Sequence, residues 1–550
     1  MSAKITTPFG EAVPPAPRHS VTVHMGGWDT VEKYGSDSST VIPHFKNAYP
    51  RMKRHRDIVQ LSAAVLGHIE AEEADCLLFS SLQSAQECVD FATSDKRDNE
   101  HDVRPVLAEL MSIRAFVAKD VFYAVVFPSE HKTVVSKFWS TPGAGISSRF
   151  AEANLEVIHE LKEVSISTAK NLDMARLAFD GPAHQTIRER IVFYLDRSSR
   201  DPHRAPRPTE SDVYLYQTGM TSIYRPHRYM LDLYNGTTVL FGMAFMNTLN
   251  VFEDYGPGFK FFGHGSDDDL VQLEAFLQDS RTRGNKVQAI WAEFPANPLL
   301  VTPNIMRLRE LATEYDVVLG IDDTIGSWAN IDVTGLVDIL VTSLTKYFNG
   351  YADVIAGSAI LNPSSPKYAA LKPLFDKNYT PELYVADAET MEKNSRDYLS
   401  RMVRLNANAS AIVGYLQSCS EDPTSAIRKV HYPSINSSGK YYKSVMRPAT
   451  ADFTPGYGCL FSVEMVDMPT TQAFYENVNV HKSVHLGAPF TLAFAYTMCT
   501  YKKNLSWAAE NGLLPTQIRI SAGLEDTEVL LEDFRVAVEA ANRQKQLSES

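Results

Sequence analysis

The chain has 550 residues, with 53 Lys and Arg against 66 Asp and Glu, and a formal net charge of −13. Hydrophobic residues make up 44% and charged residues 22%, a balance that favours a globular protein over a disordered chain. Because an acidic surface repels phosphate backbones, the charge argues against a general nucleic-acid binder. The sequence has no apolar run long enough to cross a membrane, so no membrane partner is expected.

The cysteines and histidines exclude two further classes of protein. Five cysteines without a CxxC pair form neither a disulfide framework nor a zinc motif, and they suit a reducing compartment. The N-terminus lacks the apolar segment of a secretory signal, so we expect a cytoplasmic protein. The 15 histidines show no HExxH and no ligand cluster, so no metal is expected.

In chain order, residues 1–56 are rich in Pro, Gly and turn formers and predict an extended arm. Residues 57–210 form an insertion region and linker, in which helices at 57–72 and 149–163 flank strands at 76–79 and 121–127. Three prolines and many charges at 196–210 cannot sustain a helix or an inner strand, so this stretch is the linker.

After the linker, short apolar runs alternate with helical segments over 211–365. This alternation predicts βαβ units and a mostly parallel sheet, buried on both faces, with functional loops at the carboxyl ends of its strands. Residues 366–550 predict a C-terminal domain with a strand at 457–465. Its last helix is capped by Asp526 and continues with Leu530, Phe534 and Val538 at helical spacing.

Two of the predicted strands end in residues that can carry chemistry. One runs into Asp322, and the next ends in Ser343-Leu-Thr345-Lys346. On neighbouring parallel strands both ends open at the same edge of the sheet. An acid, hydroxyls and a lysine at one edge are typical of pyridoxal phosphate (PLP) chemistry, in which the lysine forms a Schiff base and the acid pairs with the pyridinium nitrogen.

Six motifs follow one another in the same order as in the cystathionine γ-synthase group of PLP-dependent Cys/Met metabolism enzymes, which the chain resembles. It looks most like the long fungal cystathionine γ-synthases. The resemblance implies an α/β protein of PLP fold type I (aspartate aminotransferase-like), with a smaller α+β C-terminal domain. The motifs are Tyr49-Pro-Arg51, Thr218-Gly219-Met220, Glu293-Phe-Pro-Ala-Asn297-Pro298, Ile321-Asp322-Asp323-Thr324, Ser343-Leu-Thr345-Lys346-Tyr-Phe-Asn-Gly350 and Arg519-Ile-Ser-Ala-Gly-Leu-Glu-Asp526.

The resemblance also implies roles for single residues. Lys346 would carry the cofactor and shuttle protons, Asp322 would keep the pyridinium protonated, and Tyr49 would take part in catalysis. Arg519 would clamp the substrate carboxylate, and Thr491 would line the substrate pocket. The implied cofactor-binding set is Tyr49, Arg51, Gly219, Met220, Phe241, Asn297, Asp322, Ser343, Thr345 and Lys346.

Tyr49 and Arg51 would reach into a neighbouring subunit, so the resemblance implies a homodimer or homotetramer with shared active sites. The chain departs from the family pattern at Phe241, in place of a ring-stacking tyrosine, and at Asp323, in place of an asparagine. The family's Ser-Leu-Gly-Gly stretch stands here as His485-Leu-Gly-Ala, which changes one wall of the substrate pocket.

The implied activity is γ-replacement on an O-acyl-L-homoserine, which forms cystathionine when L-cysteine is the nucleophile. One alternative is attack by a carbon nucleophile on the same vinylglycine-type intermediate, as in fungal natural-product biosynthesis. Hydrosulfide as nucleophile and γ-elimination also stay open. A binding subunit that keeps the fold without catalysis is a further class, and the intact Lys346 argues against it.

Overall fold

Three β-sheets organise the chain, and each is built from a different part of the sequence. The computed structural model describes residues 4–97, 104–173 and 176–549. Among these residues, none of the helices combines the length and the apolar character needed to cross a membrane.

The N-terminal arm packs along its own chain and contains one helix, α1 (Trp28–Ser36). Its backbone is anchored to the rest of the chain by several hydrogen bonds. Val21 N–H donates to the Ala352 carbonyl at 2.8 Å, and Met25 N–H donates to the Lys482 carbonyl at 2.7 Å. Trp28 is buried against Tyr475, with ring centroids 5.6 Å apart. Burial of a large apolar side chain contributes about 1.5–3 kcal/mol, so the arm is part of the folded core.

The insertion region forms an antiparallel sheet in the order β1-β3-β2-β4. Its elements are α2 (Arg56–His68), β1 (Ala74–Phe79), α3 (Leu82–Thr93), β2 (Ser112–Val117), β3 (Val121–Pro128), α4 (Lys132–Ser140), α5 (Ser148–Leu155), β4 (Lys162–Val164) and α6 (Ile166–Leu172). The apolar run of β3 makes it an inner strand that is buried on both faces. The helix predicted at 149–163 ends at Leu155; a short 3-10 helix, Ile158–Glu160, follows, and the last two predicted residues begin the edge strand β4, which pairs with β2.

The seven-stranded sheet lies within the predicted large domain, in the order β5-β11-β10-β9-β8-β6-β7. The run from β10 to β7 is parallel, and β11 alone runs opposite to the other six strands, as expected of a mostly parallel sheet. The elements are α7 (Pro182–Asp196), β5 (Val213–Tyr216), α8 (Thr221–Tyr234), β6 (Thr237–Phe241), α9 (Met246–Asp254), β7 (Phe259–Phe262), α10 (Asp267–Arg283), β8 (Val287–Glu293), α11 (Ile305–Glu314), β9 (Val318–Asp322), β10 (Ile339–Thr342) and β11 (Gly357–Leu361).

The C-terminal part is α+β, with a five-stranded sheet in the order β12-β13-β16-β15-β14. Its longest helices, α14 and α19, have 23 residues each. The elements are α12 (Tyr368–Asn378), α13 (Val385–Asn394), α14 (Tyr398–Ser420), β12 (Ile427–His431), α15 (Gly439–Val445), β13 (Leu460–Met465), α16 (Met468–Asn477), β14 (His481–Lys482), β15 (Leu492–Phe494), α17 (Tyr496–Tyr501), α18 (Leu505–Glu510), β16 (Gln517–Ser521) and α19 (Thr527–Glu549).

Candidate active site

The carboxyl ends of three neighbouring parallel strands meet at one edge of the large sheet. In the strand register Glu293 of β8 lies beside Asp322 of β9, and Asp322 lies beside Val341 of β10. Lys346 follows β10 after one turn, and all three polar side chains line the same pocket. The strand-end argument from the sequence therefore places the acid and the lysine together.

Lys346 is partly buried, and its amine lies near two cations. Its Nζ is 4.7 Å from the centre of the Tyr49 ring and 3.4 Å from Nδ1 of His485. Burial lowers the pKa of the Lys346 amine, Tyr49 opposes this, and the cations Arg51 and Arg519 lower it further. More of the amine is therefore in the neutral, nucleophilic form at a given pH than for a free lysine.

The two carboxylates at this edge have different partners. Glu293 accepts backbone N–H groups from Phe245 at 2.7 Å and Asn297 at 3.1 Å, while burial and the nearby Asp322 raise its pKa to about 8. Asp322 accepts the Thr324 N–H at 2.9 Å, and burial raises its pKa against the hydrogen bonds from Thr324. Glu293 thus organises the pocket wall, and Asp322 presents a carboxyl group to the pocket.

Gly219, Met220 and Ser343 line the opposite part of the pocket, where α8 begins. A Cβ atom on Gly219 would lie 2.7 Å from Cβ of Ser343, so only glycine allows this close approach. Arg51 lies nearby, with its guanidinium 4.9 Å from the Phe245 ring centre. Its Nη1 is buried and finds no hydrogen-bond partner in the described chain, which suits an anionic ligand.

Tyr49 and Arg51 line the pocket of their own chain. The expectation that they enter a neighbouring subunit stays a prediction, and within the single chain they complete their own pocket. The physical reason is that the arm is anchored on its own protomer on one side and continues directly into α2 on the other. The homodimer or homotetramer stays a prediction.

The structure does not place Phe241, which is expected to stack on the cofactor, in the pocket. Phe241 ends β6, is 0% exposed and packs towards Phe262, with ring centroids 6.5 Å apart. Phe245, four residues later at the start of α9, lines the pocket instead. The family motif points to Phe241, the last apolar residue of β6. The chain turns once more after β6, and this turn brings the ring of Phe245 to the pocket.

Thr491 and Thr345 also fail to line the described pocket. Thr491 donates from its hydroxyl to Glu525 at 2.8 Å and accepts the Gly523 N–H at 2.9 Å. The Thr345 hydroxyl donates to the Ala356 carbonyl at 3.2 Å. Both hydroxyls therefore hold loops together, and their roles towards substrate and phosphate stay predictions.

Arg519 reaches the pocket from β16 and is buried. It donates to Asn297 Oδ1 at 3.2 Å and to the Val484 carbonyl at 2.6 Å, and burial lowers its pKa to about 10. Within the described ranges no carboxylate forms a salt bridge with it. Its cationic head is thus available to a carboxylate of a ligand.

Sequence reasoning missed several pocket residues. Thr324 is the clearest of these, because its hydroxyl accepts the Ser343 N–H at 2.7 Å and so ties the two strand ends together. Its position two residues after Asp322 in the motif is the signal that could have revealed it. The other missed lining residues are Ile223, Phe245, Thr248, Glu293, Pro295, Ile325, Val484 and Leu486.

One group of potential metal ligands, which the sequence did not predict, lies outside this pocket. The side chains of His19, His55 and Asp57 come within 4.8 Å of one another. His19 Nε2 is bonded to Glu152 at 2.9 Å, His55 Nε2 to the Arg18 carbonyl at 3.0 Å, and Asp57 to the Arg18 guanidinium at 3.1 Å. These contacts make the group an ion-pair cluster between arm and insertion, and we assign no metal to it.

A family model described as Cys/Met metabolism PLP-dependent enzyme matches residues 212–539, and one described as fungal trans-sulfuration enzyme, N-terminal domain, matches residues 57–147. The first match covers more than half of the chain. The chain therefore belongs to the Cys/Met metabolism family of PLP-dependent enzymes, and its cofactor is PLP.

Three relatives are similar over nearly their whole length. Alanine racemase ungC of Aspergillus violaceofuscus is 32% identical, with 96% of each chain covered. Cystathionine gamma-synthase-like enzyme iboG2 of Amanita muscaria is 31% identical, with 98% of each chain covered. Cystathionine gamma-synthase of Neurospora crassa is 30% identical, with 98% of this chain and 99% of that one covered.

Among solved structures, cystathionine gamma synthase from Xanthomonas oryzae pv. oryzae in complex with cystathionine superposes with a TM-score of 0.54. The two sequences are 18% identical, and the match covers 66% of this chain and 87% of that one. This likeness supports the type I fold.

The pocket residues fit PLP. Lys346 offers a buried amine with a lowered pKa, and Asp322 offers a carboxyl group at a strand end. The unpartnered Nη1 of Arg51 and the tight approach of Gly219 to Ser343 form a cradle for the phosphate. Phe245 supplies an apolar ring at the pocket wall, but it has no hydroxyl to donate.

Proposed function

We propose that the protein catalyses γ-replacement on an O-acyl-L-homoserine and forms cystathionine with L-cysteine. In this reaction the Cγ–O bond breaks and the acyl group leaves as a carboxylate, while a Cγ–S bond forms and the thiol gives up its proton. The observation that carries the proposal is Arg519, a buried cation without an acidic partner in the described chain, in the same pocket as Lys346. That pairing suits a substrate with an α-carboxylate beside a labile Cα proton.

The bound cofactor supplies an electron sink for charge that develops at the substrate Cα. Lys346 is the base in the pocket, and its lowered pKa lets it take a proton from Cα and return one later. Asp322 would hold the proton of the pyridine nitrogen, and Arg519 would bind the substrate carboxylate through its two terminal nitrogens. Arg51, Gly219 and Ser343 would hold the phosphate.

A carbon nucleophile is the second candidate, and one observation favours it. A cleft of about 940 Å³ adjoins the pocket and shares Tyr49, Arg51, Lys346 and Arg519 with it. Its outer walls come from the arm, from α4 of the insertion and from α9 and α17. This space admits a second substrate larger than cysteine, and a relative described as cystathionine gamma-synthase-like is similar over its full length.

The test is to incubate the PLP-saturated protein with O-acetyl-L-homoserine and, separately, L-cysteine, hydrosulfide or a β-keto acid, and to identify products by mass spectrometry. A parallel incubation of L-alanine, followed by chiral analysis, tests the activity named for the ungC relative. Cystathionine that forms with wild-type protein and not with Lys346→Ala supports the proposal. If no nucleophile displaces the acetyl group, γ-replacement is wrong.

A further inference from the structure

A buried histidine lies against the amine of Lys346 and has no part in the assignments above. His485 is 1% exposed, and its Nδ1 is 3.4 Å from Nζ of Lys346. It stands where the resembled family motif begins with serine. The imidazole is therefore a feature of this chain that bears directly on its catalytic lysine.

The loop that carries His485 is fixed relative to the lysine turn. Gly487 has φ +71°, and a Cβ atom there would lie 3.1 Å from the Tyr347 nitrogen. Its N–H donates to the Ser521 hydroxyl at 3.0 Å, which ties the loop to β16. Because the loop packs directly on the backbone next to Lys346, the distance between imidazole and amine is set by the fold.

The charge state of His485 decides what it can do. Burial, followed by the charges of Lys346 and Arg519, holds its pKa well below the ordinary value, so the ring is neutral. A neutral imidazole has one acceptor nitrogen and one donor nitrogen. Facing an amine that takes up protons, Nδ1 is assigned as the acceptor and Nε2 carries the hydrogen.

This assignment leaves a buried donor without a partner. Nε2 of His485 has no hydrogen-bond acceptor among the residues for which the structure gives coordinates. A buried and unsatisfied N–H destabilises the fold, and native proteins keep few of them. The unsatisfied donor is therefore an indication that the imidazole serves Lys346 and not the packing of the loop.

The other groups around the Lys346 amine make such an acceptor useful. The cations Arg51 and Arg519 oppose a positive charge on Nζ. Tyr49 favours that charge through a hydrogen bond from the amine to its hydroxyl, and its ring centre lies 4.7 Å from Nζ. Asp322 and Glu293 line the same pocket, and burial raises the pKa of both carboxyl groups. A neutral acceptor within hydrogen-bonding distance lets the amine hold a proton without a full counter-charge.

We propose that His485 is a positioning residue whose Nδ1 accepts a hydrogen bond from the Lys346 amine and holds it while it carries a proton. The inference rests on the proposed role of Lys346 as the lysine that binds PLP. It assigns His485 no proton of its own to transfer, because the ring stays neutral.

The test follows PLP capture by cofactor-free protein, which requires the neutral amine, as a function of pH. Removing the acceptor in His485→Leu destabilises the protonated amine, so the midpoint of the rate profile should move to lower pH by about one unit. His485→Asn is the matched control, because its side-chain oxygen can replace Nδ1, and its midpoint should stay near that of wild type. His485→Ala provides a second acceptor-free variant if the leucine variant does not fold.

A midpoint that is unchanged, or that rises, in both acceptor-free variants would overturn the proposal. The acid limb of the pH profile of kcat should move together with the midpoint of PLP capture. If His485 had only a structural role, its loss would reduce the amount of folded protein but would move neither the acid limb nor the midpoint. If the wild-type protein captures no PLP at any pH, the proposed function itself fails, and the two failures are thereby distinguished.

Discussion

The buried carboxyl group of Asp323 should lower the stability of the fold by an amount that depends on pH. Replacement by asparagine, which has nearly the same shape, should remove this loss. The Asp323 side chain is 1% exposed, and its Oδ1 accepts the Thr342 hydroxyl at 2.5 Å. Burial raises its pKa to about 8, with the Thr342 hydrogen bond opposing, Asp322 adding to the rise and Arg447 opposing it. The folded protein therefore keeps this carboxyl group protonated at neutral pH.

The sign of the effect follows from comparison with the unfolded chain, where the same group titrates near 3.8. Between these two pKa values only the unfolded state ionises, so the penalty on folding grows with pH and is complete above pH 8. Asparagine keeps an acceptor for Thr342 and cannot ionise. Asp323→Asn should therefore stabilise the fold by at most about 4 kcal/mol at pH 7, and the gain should grow by about 1.4 kcal/mol per pH unit.

The assay is urea unfolding of the cofactor-free protein at pH 5.5, 6.5 and 7.5, so that PLP binding adds nothing to the apparent stability. Asp332→Asn is the matched control. Against the effect of burial, Arg447 and Arg204 lower the pKa of Asp332, so this carboxylate is ionised in both states over that range. Loss of the Asp332 carboxylate should lower the free energy of unfolding by the same amount at each pH. A gain for Asp323→Asn that is flat or falls with pH would refute the reasoning.

Three further outcomes are expected. Lys346→Ala should lose the visible absorbance of bound PLP together with turnover, and full activity would contradict the role of Lys346. Asp322→Asn should retain PLP but lose at least about 100-fold in kcat, measured by steady-state kinetics, because a neutral amide cannot hold the pyridinium proton. Mixing Lys346→Ala chains with Arg51→Ala chains should restore no activity, whereas recovery of about a quarter of the wild-type rate would show that dimers share their sites.

The part of the site that lies on strand ends could be predicted from sequence. Asp322 and Lys346 follow apolar runs that can only be inner strands, and neighbouring parallel strands must open at the same edge. Gly219 could be predicted because the close approach to Ser343 excludes any side chain. The positions of these residues are fixed by backbone geometry, and short sequence motifs are good predictors of such geometry.

The residues on loops could not be predicted in the same way. Phe241 and Phe245 are both apolar and aromatic, and only the path of the chain between β6 and α9 decides which one faces the pocket. Thr491 lies in a stretch that departs from the family pattern, and its hydroxyl donates a hydrogen bond to Glu525. His485 takes the place of a serine in its motif, and its contact with Lys346 could not be predicted because it joins residues far apart in sequence.

The insertion and the position of the arm are best understood as one feature. Trp139 of α4 donates its indole N–H to the Pro50 carbonyl at 3.1 Å, and Arg149 of α5 forms a salt bridge with Asp387 of α13 at 3.0 Å. The first contact holds the Arg51 segment on the insertion, and the second holds the insertion on the rest of the protomer. Fewer than ten residues separate Arg51 from the packed helix α2, and such a stretch spans at most roughly 20–30 Å. An arm exchanged with another subunit would have to give up these contacts or carry the insertion with it, so the insertion favours a site completed within one chain.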